Sequence, residues 1–117
     1  MRIAAISIDC DDHLELAEFY AQLLGGEILW STDTAAAVQC GEWLLIPQKV
    51  EGHQPPSWPG CSILHLDLNG DAAVDELVAV ALAAGARRAE HQPDPRWSVL
   101  LDPAGHPFCI TPFSPQR

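Results

Sequence analysis

Apolar positions in this chain change their period several times, and each change marks an element. Residues 3–10 (IAAISIDC) are apolar and partly β-branched, as in a strand. Asp11 and Asp12 follow as N-cap candidates. Leu16, Phe19, Tyr20, Leu23 and Leu24 then fall at i, i+3, i+4, i+7 and i+8, one stripe of a helix. Gly25-Gly26 stops that helix. The segments EILW, AAAVQC and EWLLI read as three short strands, with turn signals at Ser31–Asp33 and Gly41 between them. Residues 47–61 (PQKVEGHQPPSWPGC) are rich in proline and glycine and read as a linker or lid loop.

The pattern then returns. Residues 62–69 (SILHLDLN) alternate like a strand, Gly70-Asp71 offer a turn and an N-cap, and Val74, Leu77, Val78, Ala81 and Leu82 repeat the helical stripe. Gly85 stops this helix, and ARRAEH, RWSVLLD and HPFCITPF read as three more strands. Asp102-Pro103-Ala104-Gly105 is a turn with proline at its second position. The order β-α-β-β-β is thus written twice, with a shift of about 60 residues. The expected fold is α+β: two tandem βαβββ modules forming an incomplete barrel around a cleft. The reading is of one domain over 1–117, with modules over about 1–47 and 62–117.

Composition narrows the function classes. Apolar residues make up 48% of the 117 and charged residues 19%, as in a folded globular chain. A formal charge of −10 argues against nucleic acid or an anionic membrane as partner, since a phosphate backbone would be repelled. The first residues carry no signal-peptide pattern, and no apolar run approaches the roughly 18 residues of a membrane span. Cys10, Cys40, Cys61 and Cys109 form no CxxC pair, so the expectation is reduced thiols in a cytoplasmic protein.

At this point the residues resemble a known group. Asp11 to Gly26 (DDHLELAEFYAQLLGG), Ile63 to Leu68 (ILHLDL), Leu82 to Ala86 (LAAGA) and Leu101 to Ile110 (LDPAGHPFCI) look like the vicinal oxygen chelate superfamily. That is the glyoxalase, bleomycin-resistance and extradiol-dioxygenase group, here in its small glyoxalase-like branch. His106 stands where the group usually has Asn. The resemblance implies a divalent metal held by side chains of both modules, from the first and last strand of each. Carried over, those positions are Ala5, Leu45, His65 and Cys109, with Ser7 as the alternative to Ala5 one strand repeat away. Two of the four carry no donor, whereas Lewis-acid chemistry needs three or four protein ligands plus an open position. The expectation is therefore no metal and no other cofactor. His13, His53, His91 and His106 lack metal-motif spacing and read as surface or hydrogen-bonded residues.

The candidate ligand-binding residues are His65, Asp67, Cys109, Trp43, Trp97 and Trp58. If His65 points into the cleft, Ile63 and Asp67 do too, by the strand's period of two, and Leu64, Leu66 and Leu68 face the helix. His65 beside Asp67 suggests a base with an orienting carboxylate, although such residues are about 7 Å apart at the backbone. Cys109 reads as a small buried hydrophobe or, given a low pKa and a nearby base, a nucleophile. Trp43 shares the parity of Leu45, Trp97 lies in the matching region of the second module, and Trp58 sits in the proline-rich loop. Tryptophan faces suit planar or cationic organic ligands. The leading expectation is a metal-free protein that binds a small organic molecule, cationic or aromatic, in a Trp-lined cleft. The alternatives are a metal-dependent lyase, isomerase or dioxygenase, and a module without a ligand. In all three a homodimer is expected.

Overall fold

The computed structural model describes residues 1–60 and 64–113. Cys61, read above as a reduced thiol, and Ile63, assigned above to the cleft, lie outside the described residues. The chain divides into two compact units, Met1–Pro55 and Pro56–Arg117. Each follows the order read from the sequence, so the fold is α+β with two tandem βαβββ modules. Each contributes one open four-stranded sheet.

The first module runs β1 (Ile6–Cys10), α1 (His13–Leu24), β2 (Glu27–Ser31), β3 (Ala36–Cys40) and β4 (Trp43–Lys49). Its sheet order is β1-β4-β3-β2, with β1 parallel to β4 and the other pairs antiparallel. Asp12 caps α1, its side chain accepting from the N–H of Glu15 at 3.0 Å. Gly25 closes the helix in the left-handed conformation at φ 64, where a Cβ would be strained. Leu16, Phe19 and Tyr20 bury the predicted stripe, and α1 packs on β3 and β4. His13, read above as a surface or hydrogen-bonded residue, is buried and hydrogen-bonded, with Nε2 2.8 Å from the carbonyl of Thr32. β4 extends to Lys49, into the segment read as linker, because the parallel ladder with β1 continues through Gln48 and Lys49.

The second module runs β5 (Leu66–Leu68), α2 (Val74–Ala84), β6 (Arg87–Arg88), β7 (Ser98–Leu101) and β8 (Pro107–Ile110), in sheet order β5-β8-β7-β6. The described part of β5 is shorter than the 62–69 expected. It is an edge strand whose single partner, β8, is itself four residues long. The cap of α2 is Ala73, not Asp71, because the carbonyl of Ala73 takes the N–H groups of Glu76 and Leu77. β6 stops at Arg88 because a side chain takes over the ladder. Gln92 donates to the carbonyls of Ala89 and Val99 and accepts from the N–H of Val99, each at 2.8 Å. The turn after β7 is built on Asp102, 1% exposed, whose Oδ1 accepts from the N–H of Ala104 at 2.9 Å and of His106 at 3.0 Å.

The ladders fix which residues correspond between modules. A shift of sixty residues lays Ile6 on Leu66, and the parallel partners of these two are Leu45 and Phe108. Cys109 therefore matches Ile46, not Leu45 as the alignment of Gly41 with Gly105 implied. A one-residue slip of register moves a side chain to the other face of its sheet.

Candidate functional site

The second module concentrates the chemistry. Cross-strand pairing aligns Asp67, Cys109 and Val99 in one row, while the neighbouring row is the apolar Leu66, Phe108 and Leu100. Adjacent rows point to opposite faces, so the polar row shares its face with alternate residues only. Cys109 is 5% exposed and packs in a cluster with Ala89 and Val99, covered by Trp58, Trp97 and Leu101. A hollow of about 360 Å³ opens beside it, lined by His65, Asp67, Trp97, Cys109, Thr111 and Phe113. That volume lies within the roughly 300–1,000 Å³ of small-molecule sites.

The floor of this hollow holds three groups able to donate a lone pair. His65 Nε2 lies 3.4 Å from Asp67 Oδ1, because side chains bridge the gap that the backbone spacing leaves. The nitrogen, carboxylate oxygen and sulfur donors of His65, Asp67 and Cys109 all lie within 4.8 Å of one another. Burial pushes the Cys109 thiol up to about 11, helped by the negative charge of Asp67 and a hydrogen bond to it. The free thiol is thus protonated at neutral pH and is no nucleophile by itself.

Aromatic groups form the walls. Trp58 meets His65 edge-on with ring centroids 5.9 Å apart, and its indole N–H donates to the carbonyl of His91 at 3.0 Å. It is therefore packed against the module. Trp97 and Phe113 meet edge-on at 6.2 Å. The guanidinium of Arg96 lies over both, 5.3 Å from the Trp97 ring and 5.6 Å from that of Phe113. Asp94 holds that guanidinium through two side-chain hydrogen bonds of 2.9–3.0 Å, which keep the Asp94 carboxyl below its usual range.

Five of the six predicted residues meet here: His65, Asp67, Cys109, Trp97 and Trp58. Trp43 does not line this hollow. It is 54% exposed and borders one of about 250 Å³ in the first module, with Ile3, Ala4, Ala5, Glu42 and Leu44. Thr111 and Phe113 were not anticipated. The alternation applied to His65 and Asp67 points to them as well, two and four residues beyond Cys109.

Two βαβββ modules, each a mixed sheet with one helix, define the class: the fold of the vicinal oxygen chelate superfamily. Within it, the chain belongs to the glyoxalase-like domain family, whose model matches residues 5–111. No curated protein matches the chain. Its structure is similar to that of a glyoxalase/bleomycin resistance protein/dioxygenase family enzyme from Burkholderia phytofirmans, at 21% identity and TM-score 0.70, over 92% of this chain and 94% of that one. It is also similar to the fosfomycin resistance protein FosX from Listeria monocytogenes, at 13% identity and TM-score 0.73, over 97% and 91%. A hypothetical protein from S. aureus is similar at 19% identity and TM-score 0.68, over 94% and 92%.

A metal shared between two modules does not fit these residues. Register makes Ala5, Ser7 and Ile46 the counterparts of His65, Asp67 and Cys109, and neither Ala5 nor Ile46 has a side chain that can coordinate.

Proposed function

We propose that this protein binds a small organic molecule with a planar aromatic or cationic part in the hollow of its second module, as a homodimer. The observation that carries this reading is the pairing of an aromatic wall, Trp97 and Phe113, with a polar floor, His65 and Asp67. The wall already carries a planar cation, the guanidinium of Arg96. A carboxylate and an acidic surface favour the same sign of ligand. The structural neighbour whose description includes bleomycin resistance makes cationic and aromatic antibiotics the first compounds to try. Titrations followed by tryptophan fluorescence and thermal shift test this reading. Saturable binding that is lost in Trp97→Ala and kept in Trp43→Ala supports it. A broad set of such compounds with no saturable response, or binding indifferent to Trp97, overturns it.

The second reading, a metal-dependent lyase, isomerase or dioxygenase, draws on one observation, the three donors gathered at His65, Asp67 and Cys109. Turnover of small oxygenated substrates that appears only with added metal would select it over simple binding.

A further inference from the structure

Counted along the sequence, the family positions leave two donors, an imidazole and a thiol. Among the described residues of the folded second module there are three, because Asp67, two residues beyond His65, turns its carboxylate onto the same spot. We propose that this module alone binds a thiophilic divalent cation, zinc above all, on His65 Nε2, Asp67 Oδ1 and Cys109 Sγ. The fourth position opens into the hollow.

The geometry argues for zinc in particular. Zinc takes nitrogen and oxygen donors at roughly 2.0–2.2 Å and sulfur at about 2.3 Å in a tetrahedron, so its donors stand roughly 3.3–3.6 Å apart. His65 Nε2 and Asp67 Oδ1 are already 3.4 Å apart, at that spacing without a metal to draw them together. The remaining donor separations are at most 4.8 Å, so closure asks for about an ångström of side-chain adjustment. The set mixes a thiol, an imidazole and one carboxylate, which suits zinc and disfavours magnesium or calcium, whose sites are built from oxygen. Cys109 is walled by Ala89, Val99, Trp58 and Trp97, which keep water from the sulfur side. On binding, the thiol gives its proton to solvent. Thiolate and carboxylate together then neutralise the two positive charges of the ion. Three protein ligands and one open position are the pattern of zinc sites that bind and polarise a further molecule, not of closed structural ones.

The inference does not rest on the organic-ligand reading, and its test uses metal alone. The full-length chain is freed of metal and titrated with cobalt(II), then with zinc in competition. One cobalt ion per chain is expected, with intense tetrahedral visible bands and a near-ultraviolet sulfur-to-cobalt charge-transfer band, all displaced by zinc. Cys109→Ser removes the charge-transfer band. His65→Ala and Asp67→Ala each weaken affinity by on the order of tenfold or more. His53→Ala, in the first module, changes nothing. Circular dichroism and melting of each metal-free variant show that its fold is retained. If Cys109→Ser does not fold, Cys109→Ala replaces it. The proposal is overturned by absence of stoichiometric binding, by bound cobalt without the sulfur band, by affinity unchanged in Asp67→Ala, or by loss of the site in His53→Ala.

Discussion

Two residues show how differently a buried polar group can be placed. Asp102 is 1% exposed, and its Oδ1 takes two backbone N–H groups of the turn between β7 and β8. Asp102→Ala takes the acceptor from the buried N–H of Ala104 and the partly buried N–H of His106, a loss of roughly 2 kcal/mol, while Asp102→Asn keeps an acceptor oxygen and costs less. Urea denaturation of the two variants should show that order. Cys109 is placed differently, a thiol packed with Ala89 and Val99 and hydrogen-bonded to the Asp67 side chain. Its raised pKa, about 11 against an ordinary 9.0, has a definite sign. Between those two values the unfolded thiol has lost its proton and the folded one has not, so the Cys109 contribution to stability falls as pH rises through that window. Below it, iodoacetamide should label Cys109 far more slowly in the native, metal-free chain than in denaturant, as peptide mass spectrometry would show. Of these features the sequence marks His65 and Cys109, because their place in a repeated strand pattern fixes their face. It pairs Asp67 with His65 but conceals that both converge on Cys109, because local spacing along one strand does not show which residue of the neighbouring strand lies beside it.

At the scale of elements, periodicity carries most of the information and edges carry least. Both helices follow from their stripes, and both stop at the glycines that can close them. The start of α2 does not follow, because Asp71 and Ala73 compete for the cap and the backbone settles on the residue without a side-chain acceptor. That choice leaves room for improvement. Ala73→Asp should supply the missing acceptor and sit favourably at the positive end of the helix dipole, stabilising the chain by about 1 kcal/mol. A rise in melting temperature measures it, and an unchanged value would mean that Ala73 does not cap α2. The end of β6 is a subtler case. Alternation in ARRAEH suggests a longer strand, yet Gln92 satisfies the ladder of β7 with its amide, so the backbone is free to leave the sheet. Nothing in the local pattern distinguishes such a glutamine from a solvent-facing one.

For the whole molecule, the repeat makes the fold legible, whereas the same repeat misplaces Leu45 when read without its ladders. Function is less legible because the modules have diverged: one carries donors where the other carries Ala5 and Ile46. The proposed homodimer belongs to this scale too. β2 is an edge strand, and its Ile28, Leu29 and Trp30 are 39%, 51% and 45% exposed. An edge with free backbone groups and apolar side chains is completed by another strand, and a second copy of β2 can supply one antiparallel across a twofold axis. Charge opposes this. Each chain carries −10, and two such chains repel over a distance set by the Debye length, roughly 10 Å at 0.1 M salt. Self-association should therefore strengthen with added sodium chloride, opposite to the behaviour of an interface held by ion pairs. Sedimentation velocity across a concentration series at low and high salt measures this. Leu29→Lys places a charge in the apolar edge and should shift the chain toward monomer at every salt concentration. A dimer that weakens with salt, or one indifferent to Leu29→Lys, would place the interface elsewhere than β2.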